Sequence, residues 1–238
     1  DAVLGVLPLF HALAQLANLL LPLIVGGRVV FLETVSSSAL LLALQERGIT
    51  VFACVPQFFY LIHQRVTAEV AKRGALGRRL FRVLLRVNGW CRDRLGWNPG
   101  RRIFRRVHHT LGKDMRVLVT GGSKFDPLIG RELYELGFTL QNAYGLTECT
   151  GGATICRPED GYSTSVGRPI DGVEIKILRE PRATDGTAEY DDGEILIKGP
   201  IVMQGYYNRP DANAASLKDG WLYTGDLGYL DEIGRAHV

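Results

Sequence analysis

The sequence predicts an α/β protein, with a mostly parallel sheet flanked by helices and joined to a small β-rich subdomain. Three observations carry this expectation. Across the first half, short apolar runs of strand length alternate with longer segments of helical period, which is the rhythm of βα units. From about residue 160 onward the pattern changes to short apolar strands separated by Gly, Pro and Asp. Finally, 238 residues with 46% hydrophobic and 22% charged content can bury a sizeable core, and they match neither disordered nor fibrous compositions.

Taken in order, Val3–Leu7 reads as a strand, followed by a helix to about Ile24 and a strand at Arg28–Leu32. This opening is rich in Leu, Ala and Val, but His11, Gln15 and Asn18 interrupt it and Pro8, Pro22 and Gly26-Gly27 punctuate it. A spanning helix needs about 20 mostly apolar residues, so a buried strand–helix–strand unit explains the pattern better. Ser36 to Ser38 offer an N-cap for a helix over Ala39–Arg47, and Gly48 supplies its stop. A strand at Thr50–Val55 ends at Pro56, and a helix runs from about Gln57 to Lys72.

Residues 74–112 break the rhythm with two basic amphipathic helices. Leu76, Leu80, Phe81, Leu84, Leu85 and Val87 line one side, while Arg78, Arg79, Arg82 and Arg86 populate the other. Such a stripe commonly means a solvated helix lying on a sheet. Docking on anionic lipid headgroups is the sharper alternative. Nucleic acid fits less well, because aromatic residues are not interleaved with the basic ones as base stacking requires. The rhythm resumes with a strand at Met115–Thr120, Gly121-Gly122, a helix over Pro127–Leu136 and a strand at Thr139–Asn142. Short strands at Val173–Leu178 and Glu194–Lys198 follow, with Asp185–Asp192 expected as an exposed acidic loop. This reading divides the chain into an α/β part over 1–159 (with a basic insert at about 72–112), a β-rich subdomain over 160–231, and a tail over 232–238.

Net charge is only +3, but it is unevenly spread. Between Lys72 and Arg106 stand 12 Lys or Arg and one acidic residue, Asp93, a local charge of +11 that leaves −8 for the remainder. Such asymmetry points to an anionic partner surface. Four cysteines, Cys54, Cys91, Cys149 and Cys156, have neither metal-like nor disulfide-like spacing, so reduced thiols in a cytoplasmic protein are expected.

One short run concentrates chemistry. Asn142-Ala143-Tyr144-Gly145-Leu146-Thr147-Glu148 sets an aromatic face, a glycine, a hydroxyl and a carboxylate side by side. These groups can stack a purine, let backbone approach a phosphate, hydrogen-bond that phosphate and hold Mg²⁺. Each residue also has a plain reading, since Tyr-Gly ends many strands and Thr-Glu opens many helices. Cys149, beside Glu148, reads as a small packed residue rather than a nucleophile, because no histidine partner is evident in sequence.

Six motifs in order then resemble the adenylate-forming superfamily, which includes acyl-CoA synthetases, firefly luciferase and peptide-synthetase adenylation domains. They are Leu7-Pro8-Leu9-Phe10-His11, Gly121-Gly122, Tyr144-Gly145-Leu146-Thr147-Glu148, Ser165-Val166-Gly167-Arg168-Pro169, Gly193-Glu194-Ile195-Leu196-Ile197-Lys198-Gly199 and Trp221-Leu222-Tyr223-Thr224-Gly225-Asp226. Together they span nearly the whole chain. The long basic segment between Pro56 and Gly121 is similar to that of long-chain fatty acid–CoA ligases, whereas aryl-CoA ligases cross this interval with a shorter stretch. The resemblance therefore implies part of the large N-terminal domain of an enzyme that takes ATP, Mg²⁺, coenzyme A and a long-chain fatty acid. It also implies an acyl-adenylate formed first, then a thioester.

The same resemblance assigns residue roles. Tyr144 would stack on adenine, with Gly121 and Gly122 passing beside it and Gly145 in the phosphate turn. Thr147 would bind phosphate, Glu148 would associate with Mg²⁺, and Asp226 would receive the ribose hydroxyls. His11 would lie near the acyl and thiol channel, although a lone histidine on an apolar stretch is often a core residue. Glu194 reads as structural. The sequence departs from the family after Gly122, where Ser123, Lys124 and Phe125 replace a small and an apolar residue, and at Cys149, where Thr or Ser is common. The family's phosphate loop would lie upstream of Asp1, and its hinge and C-terminal lysine beyond Val238, so the isolated chain is expected to be inactive. The last seven residues, Glu232-Ile233-Gly234-Arg235-Ala236-His237-Val238, correspond codon by codon to a common sequencing adapter and are expected to be a non-native tail. A genomic clone continuing with the same codons would make them native.

Overall fold

A computed structural model describes residues 1–34, 36–179 and 192–238. Except for the exposed Asp192, the Asp185–Asp192 stretch lies outside the described residues. The chain divides into two compact units, one of Asp1–Gln141 with Pro158–Tyr162 and one of Asn142–Arg157 with Ser163–Val238.

The first unit carries strands β1 (Ala2–Gly5), β2 (Arg28–Phe31), β3 (Val51–Cys54), β4 (Val117–Thr120) and the start of β5 (Thr139–Tyr144), in the order β2-β1-β3-β4-β5. The β1–β2, β1–β3 and β3–β4 pairings are parallel. A parallel sheet is covered on both faces, so its strands read as unbroken apolar runs rather than alternating ones. Accordingly, Leu4, Phe52 and Cys54 are fully buried.

The helices of this unit are α1 (Ala12–Gln15), a π-helical turn (Leu16–Leu20), α2 (Leu21–Ile24), α3 (Ser37–Glu46), α4 (Pro56–Ala71), α5 (Gly74–Leu95), α6 (Gly100–Ile103), α7 (Arg105–Thr110) and α8 (Pro127–Glu135). The Ser36 hydroxyl accepts from the Ala39 amide at 3.2 Å and starts α3. Phe59 and Ile62 of α4, Leu85 of α5 and Leu133 of α8 meet Phe52 and Phe138 in one core.

The helix to Ile24 runs on from Ala12 with a π turn in its middle, within which Asn18 is fully buried. One expectation changes: the basic insert is one 22-residue helix followed by two short ones, rather than two helices. Its expected apolar side is also split. Leu85 is buried, and Phe81 and Leu84 are partly so, but Leu76, Leu80 and Val87 face solvent. Among the described residues no helix is long and apolar enough to cross a membrane.

The second unit holds the end of β5, β6 (Thr154–Ile155) and β7 (Arg168–Pro169), paired antiparallel in that order. A second antiparallel sheet has the order β10-β11-β9-β8, from β8 (Glu174–Leu178), β9 (Gly193–Lys198), β10 (Leu217–Lys218) and β11 (Trp221–Leu230). Helix α9 (Pro210–Ser216) precedes β10, and β12 (Ala236–His237) pairs with β11. Ile195, Ile197, Val173 and Leu222 form its core with Cys149 and Ala153. Within residues 232–238, Arg235 to His237 are packed, whereas Glu232, Ile233, Gly234 and Val238 are exposed. Ala236 is buried, its amide and carbonyl bond Gly167 and Val166, and Asp231 pairs with Arg235 at 2.8 Å.

Candidate functional site

The predicted residues fall in both units. In the first, His11 caps α1 with no side-chain bond to the helix, is exposed, and lies against Phe10 with ring centroids 4.5 Å apart. Gly121 is buried directly after β4, and Gly122 is exposed at φ +84°. The turn there needs a left-handed backbone, which costs a residue with a Cβ about 1–2 kcal/mol. The departures that follow have separate fates. Ser123 and Lys124 are exposed, whereas Phe125 stacks on Tyr60 at 5.5 Å within the apolar core.

In the second unit the run from Asn142 to Glu148 is held by other side chains. Strand β5 ends at Tyr144, whose carbonyl accepts from the Ala153 amide at 2.8 Å. Asn142 Nδ2 donates to the Ser163 and Ser165 carbonyls, tying the Ser165–Pro169 motif to the strand. At Gly145 the chain passes so close to Gly151 and Gly152 that a Cβ would stand 2.6 Å from the Gly152 backbone. Only glycine fits that approach. Thr147, Glu148 and Cys149 then form a 3₁₀ turn with Thr147 exposed. Cys149 Sγ lies 3.1 Å from the Leu146 amide and 3.3 Å from its carbonyl, so the thiol does what a threonine hydroxyl would do there. Burial pushes this thiol above its ordinary pKa, as a packed residue requires and a nucleophile does not.

Two tyrosine–carboxylate bonds organise the unit. Tyr144 Oη donates to Asp226 Oδ2 at 2.7 Å. Burial, then this bond, hold the Tyr144 hydroxyl protonated well above the usual phenol range. Asp226 sits in an irregularity of β11 between Tyr223 and Leu227, where the register against β9 shifts. Such a bulge re-aims a side chain. Thr224 donates to the Ile195 carbonyl at 2.7 Å and accepts from the Asp226 amide at 3.1 Å. Glu194 accepts from the Gly225 amide at 2.9 Å, which is a structural role.

The second bond joins Tyr206 Oη to Glu148 Oε1 at 2.8 Å, and this bond raises the Tyr206 pKa. Asn213 of α9 grips the Tyr206 backbone on both sides, accepting from its amide at 2.6 Å and donating to its carbonyl at 3.1 Å. The Glu148 carbonyl accepts from the Met203 amide at 2.8 Å. Sequence reading missed Tyr206. The only local signal was an aromatic following Gly205 ahead of the turn Asn208-Arg209-Pro210.

Among the described residues, no three His, Cys, Asp or Glu side chains gather to hold a metal. Glu148, with one oxygen on Tyr206, presents a single carboxylate. That donor set suits Mg²⁺, which commonly takes one or two carboxylates plus substrate phosphates.

The chain is similar to several known proteins. A family model described as "AMP-binding enzyme" matches residues 1–207. Over 124 residues, 51% of this chain and 25% of the relative, the sequence is 42% identical to the 2-succinylbenzoate–CoA ligase of Bacillus subtilis. Over 167 residues, 70% of this chain and 24% of the relative, it is 32% identical to the long-chain-fatty-acid–CoA ligase FadD15 of Mycobacterium bovis. Among solved structures, the O-succinylbenzoate coenzyme A synthetase of Bacillus subtilis in complex with ATP and magnesium ion superposes with a TM-score of 0.67 at 29% identity, covering 100% of this chain and 41% of that one. The matched stretches cover about a quarter of the length of these two curated relatives.

Proposed function

The chain belongs to the AMP-binding enzyme family, and on that premise we propose that it serves an AMP-forming acid–CoA ligase whose substrate is a long-chain fatty acid. The observation that carries this reading is the pair of tyrosine-anchored carboxylates within one unit: Asp226, bonded to Tyr144 just before the Gly145–Thr147 turn, and Glu148, which directly follows that turn and is bonded to Tyr206.

A carboxylate is a poor nucleophile toward a polyphosphate, so the site must neutralise charge and hold the two reactants in line. In this reading the Tyr144 ring supplies the face for adenine. Asp226, with Oδ2 taken by Tyr144, offers its other oxygen to the ribose hydroxyls, since a carboxylate accepts several bonds at once. The exposed Thr147 hydroxyl donates to phosphate. Glu148 holds Mg²⁺, which supplies positive charge to the phosphate oxygens. Gly121 and Gly122 let backbone run beside the nucleotide, and His11 lines the approach of the acyl group and the thiol of coenzyme A. All four cysteines are buried as thiols, which supports a cytoplasmic protein.

The fatty-acid assignment draws on the match to FadD15 across 70% of the chain and on the long basic segment that contains α5. A second reading, an aromatic acid of the 2-succinylbenzoate type, is favoured by the higher identity over the shorter span. Pyrophosphate release by the full-length protein carrying this sequence, measured with ATP, Mg²⁺ and coenzyme A, separates them. Release that depends on palmitate supports the fatty-acid reading. Release that depends on 2-succinylbenzoate moves the assignment to the second. Release with acid but no thioester without a carrier protein changes the acceptor. ATP binding with no release for any acid reduces the protein to a non-catalytic nucleotide binder.

A further inference from the structure

Helix α5 has three faces where a helix lying on a sheet has two. At 3.6 residues per turn, positions 81, 84, 85, 88 and 91 share one sector. There Leu85, Asn88 and Cys91 are buried, and Phe81 and Leu84 pack against the core. A second sector, about a third of a turn away, carries Leu76, Leu80, Val83, Val87 and Trp90. These five are between 47% and 81% exposed, and their alternating spacing of four and three keeps them in one line along the helix. A third sector, beyond that line, carries the exposed Arg79, Arg82 and Arg86. Trp97, also exposed, follows just past the helix end.

A continuous apolar stripe of this kind marks a contact surface rather than scattered exposure, and the charges beside it select the occupant. The one acid of the basic segment, Asp93, is already taken by Arg131 at 2.6 Å and by the Tyr134 hydroxyl at 3.1 Å. A second copy of this helix would therefore set arginine against arginine along the seam. An anionic lipid surface satisfies both faces together. The apolar line enters the boundary between headgroups and acyl chains while the guanidinium groups reach up to phosphates. Tryptophan prefers that depth. At 22 residues, about 33 Å, the helix has room to lie in the plane.

We propose that α5 is an interfacial helix that docks the protein on anionic lipid through Leu76, Leu80, Val83, Val87 and Trp90, with Arg79, Arg82 and Arg86 binding lipid phosphates. The test is co-sedimentation of the full 238-residue chain with vesicles of phosphatidylcholine alone and of phosphatidylcholine mixed with phosphatidylglycerol, with tryptophan emission read in parallel. Binding is expected on mixed vesicles only, weakening as salt rises, with emission shifted to the blue. Replacing Arg79, Arg82 and Arg86 by Gln should weaken it roughly a hundredfold. Leu80→Glu with Val87→Glu should abolish it, and Trp90→Phe with Trp97→Phe should remove the spectral shift. All these side chains are exposed, so circular dichroism and Tm should stay at their parent values. Equal binding to both vesicle types overturns the proposal, as does no binding, or binding retained in the double glutamate variant. So does a concentration-dependent dimer that the glutamates dissolve, which would make a second copy the occupant.

Discussion

Candidate groups in the second unit are gripped by other side chains, whereas those in the first are presented by backbone. Asp226 and Glu148 each accept a tyrosine hydroxyl, and Tyr206 is itself clamped by Asn213. Gly122 and His11, by contrast, stand exposed at a strand end and a helix start. The difference follows from sheet type. A parallel strand delivers its C-terminal end to a loop, where ligands approach backbone. Short antiparallel strands instead place side chains of distant sequence across from one another. Substitutions in the second unit should therefore disturb chemistry through lost partners, and those in the first through local backbone.

The strongest way to break this contrast is Glu148→Ala in the full-length protein. It removes the only carboxylate assigned to Mg²⁺, and pyrophosphate release should fall by about two to three orders of magnitude, with Tm little changed. An unaltered rate removes Glu148 from that role. Tyr206→Phe comes next. Losing the hydroxyl that orients Glu148 should weaken apparent Mg²⁺ affinity roughly ten- to a hundredfold. That change should exceed any change in ATP KM at saturating Mg²⁺. A rise in ATP KM alone would mean that Tyr206 only packs.

Gly145→Ala sharpens the contrast from the side of stability. Its Cβ would meet Gly152 backbone at 2.6 Å, and backbone yields less readily than a flexible side chain. The loop at Gly151-Gly152 has to move, at about 1–3 kcal/mol, read as a lower Tm or denaturant midpoint. Because Thr147 and Glu148 follow directly, activity should fall along with stability. A variant as stable as its parent would show that the close approach is not kept in solution.

Legibility in the sequence divides along the same line. Strands β1 to β5 announce themselves as apolar runs bounded by Gly and Pro, and each lies within a few residues of its predicted place. In the second unit, β6 and β7 have two residues each, too few to show any period. Strand β11 was hidden because Gly225 and Asp226 form its irregularity and Gly228 interrupts its apolar pattern. The run at Tyr144–Glu148 was legible because its chemistry is contiguous. Tyr206 was not, because its bond to Glu148 joins residues 58 apart in sequence and exists only after folding. For α5, periodicity found an apolar side, but it could not tell which part of that side helices α4 and α8 would cover and which they would leave in solvent.

The smallest effect tests the first unit directly. Gly122→Ala meets no clash, since the nearest atom to a new Cβ is Val55 Cγ1 at 3.7 Å. Its cost arises from the backbone alone, which at φ +84° is unfavourable to any residue carrying a Cβ. About 1 kcal/mol of stability is expected to be lost, less than for Gly145→Ala. If backbone at this turn runs beside the nucleotide, the added methyl occupies ligand space, and ATP KM should rise while kcat at saturating ATP is nearly kept. A fall in Tm with KM untouched would leave Gly122 a turn residue only. The first unit's contribution to nucleotide binding would then rest on groups other than this backbone.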